Sequence, residues 1–243
     1  MAEPDHRSFR EDPFGAMNDW LQTVEGVMPD GMKLLLGMDE YETLSAAVKE
    51  EWGGKLLDYL RHLQQYHSRV VLLFVGSKTF AKLGRDWTAR FVAVRHMRVG
   101  FLMKDECRPL LERPVDNFTM RYVAGALDAL LDLTTGQPYL TQAVAYELVH
   151  ALNFEGRKEA SVADVRNAGL AALESGAGYF ENVWDDAERD GREMLARVVR
   201  GEVAVNGESR SHLHEMDLLT DEGEFAVPLV EQWVRRKVQE SSS

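Results

Sequence analysis

The chain has 243 residues, 45% hydrophobic and 28% charged, with 28 Lys and Arg against 40 Asp and Glu for a net charge of −12. At roughly 100–200 residues per domain, this length admits more than one unit with its own core. The apolar residues are too many and too evenly spread for a disordered chain. The acidic excess disfavours broad nucleic-acid or membrane-surface binding, which needs clustered Lys and Arg. A single cysteine, Cys107, excludes an intramolecular disulfide framework and a Cys-rich zinc site. No apolar run approaches the ~18 residues of a membrane span, and the opening MAEPDHRSFREDPF lacks the apolar stretch of a signal peptide. A soluble protein of the reducing cytoplasm, with no membrane attachment, is the expectation.

In chain order, residues 1–13 carry two prolines and dense charge and are expected to form a disordered lead-in. Phe14, Met17, Leu21, Val24 and Val27 recur at helical spacing until Pro29-Asp30-Gly31 stops the pattern. Leu34 to Met38 (LLLGM) is a short apolar run ending in Asp39-Glu40. Tyr41 to Tyr66 reads as a long helical stretch interrupted at Gly53-Gly54. Val70 to Val75 is a second apolar run, closed by Gly76-Ser77, and Met97 to Leu102 (MRVGFL) is a third candidate.

Short, branched apolar runs separated by helices predict strands buried on both faces of a parallel sheet, with the helices as crossovers. From Met120 the pattern becomes helical, with segments at Tyr122–Leu133, Pro138–Phe154 and Ser161–Leu173. Ser161-Val162-Ala163-Asp164 is a capping-box-like start. Further helical pieces fall at Tyr179–Trp184 and Arg189–Val199. A hairpin follows, Leu218–Leu219 and Ala226–Val227 joined through Asp221-Glu222-Gly223-Glu224-Phe225, and a last helix begins near Pro228. The fold class expected is α/β followed by all-α.

A buried strand ending in Asp39-Glu40 places carboxylates at the carboxyl edge of a sheet, where open α/β folds bind ligands. The same two acids equally suit the opening turn of the next helix, at the positive end of its dipole. Gly76-Ser77-Lys78-Thr79 looks like the end of a phosphate loop, but both glycines of Gly-x-x-x-x-Gly-Lys-[Ser/Thr] are missing, since Ser77 precedes Lys78 and Leu72 stands five before it. Ser77 suits a phosphate or water contact beside the acids, or a plain turn. Gly136 and Pro138 fit a helix stop followed by a helix start; a functional version would set Pro138 and Tyr139 against an adenine ring.

Other candidates are weaker. His212 and His214 have no third ligand at a persuasive spacing, and Cys107 has no histidine near it in sequence. Arg108, Arg113 and Arg121 suit a solvated face as well as a phosphate contact. The last segment has a winged-helix outline, yet between Val183 and Glu240 eight basic residues face fourteen acidic ones, which disfavours nucleic acid.

Taken together and in order, LLLGMDEYETL, SRVVLLFVGS, MRVGFL, LLERPV, TTGQPYLTQAVAYELVHALN, GYFENVW and FAVPLVEQWVRR resemble STAND-type P-loop ATPases, the AAA-related signalling and defence ATPases of prokaryotes. The resemblance spans about Asp12 to Arg236. It implies a partial nucleotide-binding α/β subdomain at 14–118, a helical lid at 119–176 and a winged helix at 177–240. It implies ATP or ADP with Mg²⁺ as ligands. Asp39 would then act on the metal, Glu40 on the attacking water, Ser77 on the γ-phosphate, and Gly136, Pro138 and Tyr139 beside adenine.

The sequence departs from that family at one point. The 38 residues before Asp39 contain no phosphate-loop motif. By resemblance, a phosphate-loop strand belongs between the Val70–Val75 and Met97–Leu102 strands. Three expectations follow: a portion of a longer ATPase, a chain completed by a separate polypeptide, or a degenerate non-enzymatic adaptor. Protein partners through the winged helix are expected in each.

Overall fold

The computed structural model describes residues 6–48, 53–202 and 207–241, and the chain divides into two compact units, Met1–Met97 and Arg98–Ser243. The first unit contains α1 (His6–Glu11), α2 (Pro13–Val27), β1 (Leu34–Met38), a 3₁₀ turn at Tyr41–Thr43, α3 (Leu44–Val48), α4 (Gly53–Tyr66), β2 (Val70–Phe74), α5 (Phe80–Leu83) and α6 (Arg85–Arg90). Within the expected disordered lead-in, residues 6–11 are therefore helical; residues 1–5 lie outside the described residues. α1 buries no residue and carries an Arg7–Glu11 ion pair of 3.2 Å, one turn apart, so it leaves no hydrophobic period to read. Asp12 then caps α2, its Oδ1 accepting the Gly15 N–H at 3.0 Å, with Pro13 in the first turn.

β1 and β2 pair in parallel, from Leu34 opposite Val70 to Met38 opposite Phe74. Leu34, Leu36, Met38, Val70, Leu72 and Phe74 face a core of Leu21, Leu57, Leu60, Leu63, Phe80, Trp87 and Phe91. Each such side chain contributes on the order of 1.5–3 kcal/mol when fully enclosed. The opposite face is open: Leu35 is 59% exposed, Val71 42%, Leu73 40% and Val75 46%. The expectation of burial on both faces is thus corrected. Helices α2, α4 and α6 supply residues to the core on one face only.

The ladder begins at Leu34 N–H to Arg69 O (2.8 Å) and ends at Val75 N–H to Met38 O (2.9 Å). In a parallel pair only alternate residues point toward the neighbour, so the backbone groups of Leu72 and Phe74 face away from β1. Among the described residues no third strand meets them. The expected strand at Met97–Leu102 is not formed. That segment has no regular structure, and Val99 is 93% exposed. Apolar composition alone does not make a strand without a ladder partner.

The second unit holds α7 (Lys104–Glu112), β3 (Arg121–Tyr122), α8 (Ala126–Thr134), α9 (Pro138–Glu155), β4 (Glu159–Ala160), α10 (Val162–Ser175), α11 (Ala177–Asp186), α12 (Glu188–Val199), α13 (Glu208–Glu215) and α14 (Pro228–Glu240). Its core draws on Leu130, Leu140, Leu148, Phe180, Leu195, Leu213 and Leu229, all essentially fully buried. The capping box at Ser161 forms, with Asp164 Oδ2 accepting the Ser161 N–H at 2.7 Å and Ser161 Oγ accepting the Asp164 N–H at 3.2 Å. The hairpin is reduced to one antiparallel bridge, Leu219 to Phe225. Leu102 and α7 pack with these helices, so the compact division lies between Met97 and Arg98 rather than after residue 118. Among the described residues no helix is long and apolar enough to cross a membrane.

Candidate functional site

The chain leaves β1 through Asp39 and Glu40. Both side chains are exposed, and Asp39 Oδ1 accepts the Glu40 N–H at 3.0 Å. Glu40 has φ 50° and ψ 42°, the left-handed region that non-glycine residues seldom adopt. This reversal starts the 3₁₀ turn, and the Glu40 carbonyl accepts both the N–H (2.9 Å) and the hydroxyl (2.7 Å) of Thr43. Tyr41 points inward, packing edge-on against Phe74, Phe80 and Trp87, and its hydroxyl donates to the Lys78 carbonyl.

The neighbouring strand ends at Phe74, and Val75-Gly76-Ser77 follow alongside. The structure therefore brings Asp39, Glu40 and Ser77 to the same carboxyl edge of one sheet. It adds a residue that the sequence did not single out. Glu42 Oε1 accepts both the Ser77 N–H (2.8 Å) and the Ser77 hydroxyl (2.6 Å). Burial opposes ionisation of Glu42, but hydrogen bonds from Ser77 and the charge of Lys78 outweigh it and hold the carboxyl below its ordinary value. Tyr41, burdened by burial and by that nearby negative charge, is pushed up.

Asp39 and Glu40 are two carboxylates at an exposed strand end. That is the donor set Mg²⁺ takes when phosphates and waters complete its shell. Among the described residues no three His, Cys, Asp or Glu side chains converge into a self-sufficient metal site. His212 and His214 diverge, one at 3.0 Å from the Asp186 carbonyl and the other at 3.1 Å from Asp221 Oδ1. Cys107 is fully buried, with its thiol pushed up by burial and by Glu106, which makes it a poor nucleophile. Arg108 pairs with Asp128 at 2.5 Å.

Gly136, Pro138 and Tyr139 lie in the second unit, at the turn from α8 to α9. Thr135 and Gly136 both adopt positive φ. Gln137 caps α9, its Oε1 accepting the Leu140 N–H at 2.6 Å while its Nε2 donates to Tyr179 Oη at 3.0 Å. The Tyr139 ring stacks on Tyr179 at 4.5 Å and lines a groove of about 290 Å³ with Gln142, Ala143, Tyr146, Glu147 and Ser175. Two tyrosines give the groove an aromatic wall that would suit a flat ring, with Glu147 as the charged residue in its lining.

Among solved structures, the chain is similar to the Walker-type ATPase PABY2304 of Pyrococcus abyssi. The TM-score is 0.58 at 15% identity, over 91% of this chain and 67% of that one. At this identity the likeness shows the fold alone, a P-loop ATPase-like scaffold. No protein-family model matches the sequence, and no curated protein matches it.

Proposed function

We propose that this chain is the carboxyl-terminal portion of a STAND-like ATPase, a nucleotide-dependent signalling or defence switch of the cytoplasm that does not hydrolyse ATP by itself. The observation that carries the reading is the two-stranded parallel sheet of β1 and β2. It ends in Asp39, Glu40 and Ser77, and among the described residues no strand meets the outward backbone groups of Leu72 and Phe74. Parallel sheets are normally covered on both faces. An open edge beside an open apolar face supports completion by a strand and phosphate loop from outside these 243 residues, in an upstream segment or a separate chain.

In this reading Asp39 holds Mg²⁺ and Glu40 orients the attacking water. Ser77 faces the γ-phosphate, and Gly136, Pro138 and Tyr139 shape the lid side of the adenine. Residues 119–176 act as the lid. Residues 177–240 act as a winged helix that contacts proteins rather than nucleic acid, given its acidic excess. Bound Mg²⁺ would neutralise phosphate charge; the chain's own residues position the metal, the water and the terminal phosphate. A non-enzymatic regulatory or adaptor protein on the same scaffold is the alternative, with a winged-helix DNA-binding regulator behind it.

Mg²⁺-ATP titrated against the purified chain tests this, read by amide shifts and by phosphate release. Millimolar, Mg²⁺-dependent shifts at Asp39 and Glu40 without turnover are expected. Micromolar binding or turnover that vanishes in Asp39→Ala would overturn the claim that the chain is incompetent alone. No Mg²⁺-dependent shift at either acid would overturn the nucleotide reading.

A further inference from the structure

Ser77 presents two donors at the strand end, its N–H and its hydroxyl, and both go to a single oxygen, Glu42 Oε1. The other oxygen, Oε2, is enclosed and has no hydrogen-bond partner. Leaving such an atom unpaired is costly, so the carboxylate fills the niche without being fully satisfied there. Gly76 makes room for it: a Cβ at that position would stand 1.9 Å from Oε2 and 2.9 Å from Tyr41 Cδ1. Lys78 adds positive charge beside the same carboxylate.

Two convergent donors with a neighbouring ammonium form a niche for an oxyanion. From this geometry we infer that Gly76, Ser77 and Lys78 form a phosphate-binding niche that Glu42 occupies as a built-in competitor, so that phosphate binds only when the Glu42 side chain swings out. The inference rests on reading Ser77 as the phosphate-facing residue, and it adds the regulation of that residue. A tetrahedral phosphate brings several acceptor oxygens to the donors that Glu42 now holds with one. Displacement costs the two charge-assisted hydrogen bonds, and the enclosed, unpaired Oε2 gains solvent in return.

The test uses inorganic phosphate without Mg²⁺, followed at the Ser77 amide in the full chain. Glu42→Ala should respond at phosphate concentrations about tenfold lower than the unaltered chain, the scale of losing a charge-assisted competitor. Glu42→Gln keeps the shape and a weaker acceptor, and should fall between the two. Equal responses in the unaltered chain and both variants would overturn the inference, as would a Ser77 amide that ignores phosphate in Glu42→Ala. A phosphate response at Ser77 without any Mg²⁺-ATP shift at Asp39 would sink the ATPase reading and leave the niche standing. The converse result would sink the niche alone.

Discussion

Gly136 and Leu102 are joined backbone to backbone: the Leu102 N–H donates to the Gly136 carbonyl at 2.9 Å, and the Leu102 oxygen lies 1.9 Å from where a Cβ on Gly136 would stand. The φ of +76° at Gly136 adds a conformational demand. A carbonyl cannot step aside as a side-chain tip can. Gly136→Ala should therefore destabilise the second unit by about 2–4 kcal/mol, the left-handed penalty plus the displaced backbone. Gly156→Ala is the control, since φ there is +69° but no atom lies within 4 Å of the added methyl; it should cost only about 1–2 kcal/mol. Urea midpoints compare the two, and equal losses would show that the contact with Leu102 is not what demands glycine at 136.

This relationship also marks what was legible in the sequence. Helices α9 and α10 announce themselves through Pro138, the Ser161-to-Asp164 capping box and buried leucines at helical spacing. Both LLLGM and VVLLF form strands as read. MRVGFL has much the same composition and forms none, because a strand is a property of two segments and no segment among the described residues pairs with it. One-sided burial of the sheet was equally hidden: Leu35 and Leu73 look like core residues until the opposite face is seen to be uncovered. Glu42 carries no motif of its own beside the adjacent acid pair Asp39-Glu40. The left-handed turn at Glu40 brings the residue two places later onto Ser77, and no local pattern signals such a reversal at a glutamate.

Arg69 gathers the loop between α2 and β1. Its guanidinium donates to the carbonyls of Glu25 (2.9 Å), Met28 (3.1 Å), Met32 (3.3 Å) and Pro29. Two of these acceptors lie at the carboxyl end of α2, where a cation also suits the dipole. Arg69→Ala should lose about 2–4 kcal/mol, more than a typical single hydrogen bond and less than four added together. Arg69→Lys should recover little of it, because an ammonium cannot reproduce the planar fork. Chemical denaturation followed by Trp fluorescence reads both; full rescue by lysine would show that charge alone holds the loop.

The open face of the sheet makes a contrasting forecast. Leu73 lies in the middle of β2 but is 40% exposed, whereas Leu57 on α4 is fully enclosed. Leu73→Lys should change stability by no more than about 0.5 kcal/mol, as expected of a surface site, and should reduce binding of a hydrophobic dye to the folded chain. Leu57→Lys should unfold the first unit by burying an unpaired charge. Thermal melting with dye titration separates the outcomes, and a large loss at Leu73 would mean that the face is covered within this chain.

Glu42 ties stability to pH with a definite sign. Burial pushes its carboxyl up, but the Ser77 hydroxyl and amide and the charge of Lys78 outweigh that and hold it below the ordinary value of 4.5. Just below that unfolded value, the unfolded chain binds the proton that the folded chain refuses, so stability falls as pH falls. The contribution of Glu42 is complete above 4.5 and disappears as pH drops through the lowered folded value. Asp58, held low chiefly by Arg90, and Asp164, held low chiefly by Ser161, impose slopes of the same sign. The signature is therefore a difference between proteins. Unfolding free energies of the unaltered chain and of Glu42→Gln should be separated by a constant amount near neutral pH. The unaltered chain should lose that separation on acidification, because glutamine has no proton to gain. Parallel acid slopes in the two proteins would mean that Ser77 does not hold the Glu42 carboxylate in solution.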